Sequence, residues 1–315
     1  MIHAVFMLIL FIFPISFPKD FANLVFRGFD KPFIFSHYDI GGFPRGTRNY
    51  LVPASTGLWA ALPIFDRRPG SMLHTTRGIV LRTVRYGESS LIATLFTELF
   101  GIQSYMVKGA RSSKSKSGKG ALLQAANQLE LEVYHRENHH SLEYISEMRA
   151  GHIYGTLRAD MVRTGIAIYL TELLYRGLKQ PEPHPGLYAL TSRCLLFLDR
   201  EGSLVANIPV YYTLRFASLL GFGIGGRSGA STPFLDLRDG NFAAEPPAHP
   251  QWLDQDLGAL ASALNLAPDP ESASAVALNG PARMKLLEGC LAFLQWHLPD
   301  FTGLNSPAVL HELMR

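Results

Sequence analysis

The sequence is poor in residues that would staple, tether or arm the chain. Of its 315 residues only two are cysteines. Cys194 and Cys290 each sit in an apolar run of helical character, Cys194-Leu195-Leu196-Phe197 and Cys290-Leu291-Ala292-Phe293. That setting favours buried thiols over a disulfide and fits a reducing cytoplasm. Long hydrophobic runs are scarce as well. The one near the start, residues 4–17, is shorter than the roughly 20 residues a membrane span needs and is interrupted by Pro14. Only His3 precedes it, so the basic flank of a signal peptide is missing. Acidic residues after position 72 are dispersed, which leaves no carboxylate cluster to hold metal ions for a nuclease-type reaction. No nucleophile–base–orienter set stands out either. Histidines offer no metal site: His139-His140 lies in a turn, and His184, His249, His297 and His311 are scattered. What remains is a binding protein with no expected cofactor.

Composition supports a folded, non-membrane chain, with 47% hydrophobic and 17% charged residues. Its length accommodates two domains, each able to bury a core. A formal net charge of +3 leaves room for one locally basic face.

Residues 1–71 mix Phe, Gly, Pro and Arg without a sustained period of 2 or 3.6, and no element can be placed there. Patterned sequence begins at Met72. The expectation is an unpatterned extension over 1–71, with translation starting at Met72.

From 72 to about 150, five short stretches have strand character. They are expected over residues 77–84, 91–97, 102–108, a fourth around Leu129, Leu131 and Val133, and 141–148. In the fourth, Leu129, Leu131 and Val133 point one way and Glu130, Glu132 and Tyr134 the other, the pattern of a half-buried strand. Tyr86-Gly87-Glu88-Ser89-Ser90 joins the first two, and the polar stretch 135–140 precedes the last. Five strands with a long excursion between the third and fourth is the order of an OB-fold, a small barrel often used for single-stranded nucleic acid.

The excursion, Lys-Gly-Ala-Arg-Ser-Ser-Lys-Ser-Lys-Ser-Gly-Lys over 108–119, carries Lys108, Arg111, Lys114, Lys116 and Lys119 with no acidic residue. Phosphate is the expected partner. A solvated loop of Lys, Ser and Gly is the bland alternative. A nucleotide-binding P-loop fails on two positions: Ser113 replaces the first Gly and Gly120 the metal-binding hydroxyl. Stacking aromatics on the strands are thin (Phe96, Tyr105, Tyr134, Tyr144), and half of them should be core. A protein that grips backbone leaves base edges free to pair, which suits annealing better than sequestration.

Residues 151–315 read as helical, with an irregular insert over 221–250. A helix over 158–179 presents Val162, Ile166, Tyr169, Leu170, Leu173 and Leu174 on one face. Further helices are expected from Pro185, burying Leu187, Leu190, Cys194, Leu195 and Leu198; from Pro209 to Leu220; and over 253–264 and 281–296. A last one should have Ser306 as N-cap and Pro307 in its first turn, burying Val309, Leu310 and Leu313. Gly221-Phe222-Gly223-Ile224-Gly225-Gly226 follows a helix rather than a strand, so it reads as a helix end and not as a dinucleotide fingerprint.

Several of these stretches resemble the bacterial RecO family. They are Tyr86-Gly87-Glu88-Ser89-Ser90; Lys108-Gly109-Ala110-Arg111-Ser112 followed by Lys119-Gly120-Ala121-Leu122-Leu123-Gln124; and Tyr169-Leu170-Thr171-Glu172-Leu173-Leu174. Leu219-Leu220-Gly221-Phe222 and Ser306-Pro307-Ala308-Val309-Leu310 complete the set, in family order. The resemblance implies an α+β protein, an N-terminal five-stranded OB barrel followed by a helical C-terminal domain. It implies binding of single- and double-stranded DNA and annealing of strands coated by single-stranded DNA-binding protein. It further implies work with RecR toward RecA loading, and docking of the coating protein's acidic tail on the helical domain, for which Arg215 is the candidate contact. Many family members carry two Cys-x-x-Cys pairs for zinc. Residues 225–245 hold no cysteine, so the zinc site is expected to be lost, with 234–242 surviving as a hairpin. The alternative is another OB-fold module that binds single-stranded nucleic acid without annealing it.

Overall fold

A computed structural model of the chain describes residues 72–111, 119–135 and 142–314. The expected extension over 1–71, the turn over 136–140 and residue 141, where the fifth strand was expected to start, lie outside the described residues. The five strands are β1 (Met72–Tyr86), β2 (Ser90–Thr97), β3 (Gly101–Val107), β4 (Gln128–His135) and β5 (Glu143–Ala150). They close into a barrel in the order β1-β2-β3-β5-β4, the connectivity of an OB-fold.

β1 is longer than its sequence pattern suggests because it serves two neighbours. Its first half pairs with β4, from Met72 opposite His135 to Ile79 opposite Gln128. Its second half pairs with β2, from Gly78 opposite Thr97 to Tyr86 opposite Ser90. The register shifts between Val80 and Arg82, a bulge that bends the strand from one partner to the next. Alternation then sorts the side chains. Val80, Ala93, Leu95, Tyr105, Leu129, Leu131 and Val133 fill the interior, closed on one side by Leu123, which follows the short helix α1 (Lys119–Leu122).

The helical region comprises α2 (Thr156–Ala159), α3 (Met161–Gly177), α4 (Pro185–Asp199), α5 (Ile208–Leu219), α6 (Gln255–Leu266), α7 (Pro270–Ser274), α8 (Gly280–His297) and α9 (Ser306–Leu313). The helix expected over 158–179 is in fact two. The Asp160 carboxylate accepts from the backbone N–H groups of Val162 (2.8 Å) and Arg163 (3.2 Å), so Asp160 is the N-cap of α3 and α2 stands apart. The buried face of α3 is Ile166, Tyr169, Leu170, Leu173 and Leu174, with Val162 half-buried. α4 buries all five residues expected of it.

α5 ends at Gly221, whose φ of +91° is open to glycine at little cost. At the start of α9 the N-cap is Asn305, not Ser306. Glu172 on α3 reaches across to accept from the backbone N–H groups of Asn305 (2.9 Å) and Ser306 (2.8 Å). The helix is thus capped by another element, and of its expected apolar face only Leu310 is fully buried. The hairpin expected over 234–242 is present as β6 (Phe234–Asp236) and β7 (Asn241–Ala243), joined by β8 (Trp252–Leu253) into a small sheet.

Barrel and helices share a core. Ile79, Leu81 and Phe96, on the outer face of the barrel, belong to the same buried cluster as Tyr188, Leu170 and Phe216 of the helices. At about 2 kcal/mol for each large apolar side chain withdrawn from water, three such residues give the contact substantial weight. Polar bonds add direction. The Gln128 amide donates to the Tyr154 hydroxyl (2.9 Å) and accepts from the Ser192 hydroxyl (2.7 Å). The Arg158 guanidinium donates to the Ala125 carbonyl (2.7 Å) and the Asn127 side chain (2.6 Å).

Candidate nucleic-acid interface

One end of the barrel gathers the β1–β2 hairpin tip and the base of the basic loop. The tip turns at Gly87, with φ +60°. The loop is tied to it from below: the Arg111 backbone N–H donates to the Ser89 carbonyl (3.0 Å) and its guanidinium to the Glu88 carbonyl (3.2 Å). On the far side of the loop, the Asn127 side-chain amide donates to the carbonyls of Ala121 (3.0 Å) and Leu122 (2.9 Å), and Leu123 is buried. The loop's two feet are therefore fixed by the fold.

Of the five expected phosphate contacts, Lys108 and Arg111 are exposed at the first foot and Lys119 is half-buried at the second. Lys114 and Lys116 lie outside the described residues. The Lys108 ammonium sits 5.3 Å from the centre of the Tyr144 ring on β5, a cation–π contact to a half-buried aromatic residue. The four aromatics expected on the strands divide evenly. Phe96 and Tyr105 are fully buried, while Tyr134 and Tyr144 are half-buried.

Elsewhere the barrel surface suits anions less well. Arg77 forms a two-pronged ion pair with Glu98, at 2.8 and 2.6 Å. That partner raises the arginine's pKa and lowers the glutamate's. Arg77 is thereby neutralised, and Glu130 lies opposite it on β4. The shallow groove between them carries two carboxylates for one guanidinium.

Arg215 lies on α5 in the helical region. Named from the sequence as the candidate contact for the acidic tail, it is half-buried. Its Nη1 reaches the Asn265 carbonyl only at 3.5 Å, and its buried Nε donates to nothing among the described residues. Asn265 is itself committed, accepting from the Ser218 hydroxyl (3.3 Å) and donating to the Ile224 carbonyl (3.4 Å). A guanidinium with donors to spare at a partly open site is suited to a carboxylate.

Among the described residues no group of three or more His, Cys, Asp or Glu converges to hold a metal ion. In the insert, the Asp236 carboxylate instead accepts from the backbone N–H groups of Arg238 (2.8 Å) and Asp239 (3.1 Å), and contacts His249 Nε2 at 3.1 Å. The thiols of Cys194 and Cys290 are free and buried. Burial pushes the Cys290 thiol up to about 12 and that of Cys194 higher still, so neither is a reactive nucleophile. No helix among the described residues is long and apolar enough to cross a membrane.

Sequence reading passed over two arginines that the structure puts to use. Arg163 on α3, almost fully buried, donates to the carbonyls of Leu198 (2.7 Å), Arg200 (3.0 Å) and Ser203 (3.0 Å) and to the Ser203 hydroxyl (2.8 Å). Arg82 donates to the Tyr175 hydroxyl (3.2 Å). A charged residue on the buried face of α3 was the available signal for the first.

Comparison with known proteins matches two family models in succession. "Recombination protein O N terminal" covers residues 72–154 and "Recombination protein O C terminal" covers residues 158–305. The DNA repair protein RecO of Phocaeicola vulgatus is 30% identical over 244 residues, covering 77% of this chain and 99% of that protein. Those of Porphyromonas gingivalis strain W83 and Bacteroides fragilis are 28% identical over 248 residues and 29% over 244, with the same coverage.

Proposed function

Because the chain belongs to the RecO family of DNA repair proteins, we propose that it is a recombination mediator that binds single- and double-stranded DNA and anneals complementary strands coated by single-stranded DNA-binding protein. On this reading it is a cytoplasmic binding protein with no catalytic residues and no cofactor. Lys108, Arg111, Lys114, Lys116 and Lys119 contact phosphates. RecR is its partner toward RecA loading, and the acidic tail of the coating protein docks against Arg215. The observation that carries the DNA-binding part is the pair of exposed cations, Lys108 and Arg111, at a fixed foot of a loop with five positive residues and no acidic one. Support for the tail contact is the spare donor capacity of the Arg215 guanidinium.

If all five cations meet phosphates, log affinity falls against log salt with a slope of about −3.5 on single strands and about −4.5 on duplex. The test is annealing of complementary oligonucleotides coated with the cognate single-strand-binding protein. Acceleration over the coated control is expected. None would leave the plainer alternative, an OB-fold module that binds single strands without annealing them. Replacing Arg111, Lys114, Lys116 and Lys119 by Ala together should weaken binding and flatten the salt dependence. Unchanged affinity would make the loop merely solvated.

A further inference from the structure

The segment leading from the basic loop into β4 is bent against its own preferences. Ala126 has a φ of +69°, in the left-handed region that residues with a side chain rarely adopt, and it is fully buried. On one side the bend is pinned to the barrel: the Ala126 N–H donates to the Val80 carbonyl (2.8 Å) and the Val80 N–H to the Asn127 carbonyl (2.9 Å). On the other it is held from the helical region. One nitrogen of the Arg158 guanidinium, on α2, donates to the Ala125 carbonyl (2.7 Å) and to the Asn127 side-chain oxygen (2.6 Å), so that it bonds the residues on both sides of Ala126.

Asn127 passes this hold on to the loop. With its oxygen engaged by Arg158, its amide nitrogen donates to the carbonyls of Ala121 (3.0 Å) and Leu122 (2.9 Å), the last two residues of α1. Carbonyls at a helix end have no partner within the helix, and α1, a single turn starting at Lys119, is far too short to persist by itself. Arg158 is in turn set by its surroundings. Its guanidinium lies 5.7 Å from the centre of the Tyr154 ring, whose hydroxyl accepts from Gln128. α2 is anchored to α4, where the Asp199 carboxylate accepts from the backbone N–H groups of Gly155 and Leu157, both at 2.9 Å.

We propose that Arg158 is a positioning residue for the basic loop: from the helical region it holds the bend at Ala126, and through Asn127 it keeps α1 and Lys119 in place at the loop's second foot. The inference rests on the DNA-binding reading above. Arg158 acts through the bend and makes no phosphate contact of its own. Without it, Ala126 is free to relax to a negative φ, the Asn127 amide loses the bond that orients it, and α1 unwinds. The loop keeps its cations, but DNA must then order a foot that the parent chain holds ready. Affinity therefore falls while the number of phosphates met does not. The helices thus bear on DNA binding through the shape they impose on the loop.

The experiment follows binding of the full chain to a 20-residue oligothymidylate by fluorescence anisotropy over a range of salt. The parent is compared with Arg158→Met, Arg158→Lys, Asn127→Ala, the loop variant lacking Arg111, Lys114, Lys116 and Lys119, and that loop variant combined with Arg158→Met or Asn127→Ala. Methionine keeps an unbranched apolar stem and removes the donors. Arg158→Met should lose about tenfold in affinity, the cost of ordering one more residue of backbone on binding, with the salt slope unchanged. Arg158→Lys, whose ammonium can serve two acceptors, should recover part of that loss. Asn127→Ala, which breaks the same relay with Arg158 intact, should lose about as much. In the loop variant, assayed at low salt, neither substitution should weaken binding further, a non-additivity that general loosening of the fold does not produce. Three results would overturn the positioning role while leaving the loop's role standing: parental affinity in Arg158→Met or Asn127→Ala, a slope flattened by about 0.7 in Arg158→Met, as for a lost phosphate contact, or a tenfold loss that persists in the loop variant. A loop variant that binds as the parent does would overturn both.

Discussion

Gly101 and Gly87 form a matched pair through which the contact between barrel and helices can be weighed. Both have positive φ, +65° and +60°, so alanine at either meets the same left-handed strain of about 1–2 kcal/mol. Alanine also narrows the unfolded ensemble, returning about 0.4–1 kcal/mol. The net cost common to both is about 1 kcal/mol. At Gly87 nothing lies within 4 Å of the added Cβ, and the cost stops there. At Gly101, at the start of β3, the added Cβ runs into the backbone of Glu182 in the segment joining α3 to α4, 2.6 Å from its carbonyl carbon and 2.9 Å from its nitrogen. Carbon–carbon contacts are comfortable at about 3.5–4.0 Å, so the turn and the segment must separate by the better part of an ångström. Backbone cannot swing aside like a side chain, and strain of this kind costs about 1–3 kcal/mol more. Urea denaturation of Gly101→Ala, Gly87→Ala and the parent, followed by circular dichroism, reads the difference. With a slope near 2 kcal/mol per molar urea, Gly101→Ala should unfold about 1 M below Gly87→Ala. Coincident midpoints for the two variants would refute the close approach of barrel and helices at this point.

Two further outcomes follow from the buried polar groups. Arg163→Leu strands the buried carbonyl of Leu198 and takes a donor from those of Arg200 and Ser203, the first of which keeps the Ser203 hydroxyl; a buried acceptor left unpaired costs about 1–3 kcal/mol. A loss of about 2 kcal/mol in urea melts is expected, with Arg163→Lys recovering only part; a loss under about 0.5 kcal/mol would contradict the arrangement. Burial pushes the Asp236 carboxyl up, but the N–H groups of Asp239 and Arg238 and the His249 ring outweigh it and hold the group below the usual carboxylate range. A pKa depressed by folding stabilises the native state above the unfolded value, near 3.9, and that contribution fades as pH falls through the lower folded value. Asp236→Asn should therefore be less stable than the parent at pH 7, with the gap closing below about pH 4. A gap that is constant with pH would remove the ionised carboxylate from the account.

Local pattern was enough to find the strands and most of the helices, since period and punctuation are written in neighbouring residues. Alternation marked β4, and Pro185 with the spacing of Leu187, Leu190, Cys194 and Leu198 marked α4 and its buried face. What went unread depends either on which of several local options a side chain takes or on distant residues. Asp160 looked like one more helical position because its role as N-cap shows only when its carboxylate is seen turned onto Val162 and Arg163. Ser306 looked like a cap because the group that binds the helix start, Glu172, lies more than a hundred residues earlier. The candidate site divides the same way. The charge of the 108–119 loop is visible in composition. The ties that fix the loop's feet, from Arg111 to Glu88 and Ser89 and from Asn127 to Ala121 and Leu122, are not, because they form only once the strands bring those segments together.

The shared core bears on how the proposed activities could work together. A hinge between domains needs an interface that is small and mostly polar. Here Ile79, Leu81 and Phe96 of the barrel are buried among the helices, and Gln128 and Arg158 are bonded across the boundary. Opening it would expose large apolar side chains and leave those polar groups without partners, so adjustment to a ligand falls to the loops. On the proposed function, a DNA strand on the barrel and a peptide tail at Arg215 are then held at a separation set by the fold. Docking the tail would bring the coated strand to the barrel at an effective concentration undiluted by motion within this chain. Annealing of coated strands should accordingly depend on both sites within one molecule. A mixture of a loop variant lacking its cations and an Arg215→Glu variant should not restore the activity that either has lost, whereas sites acting independently would complement each other.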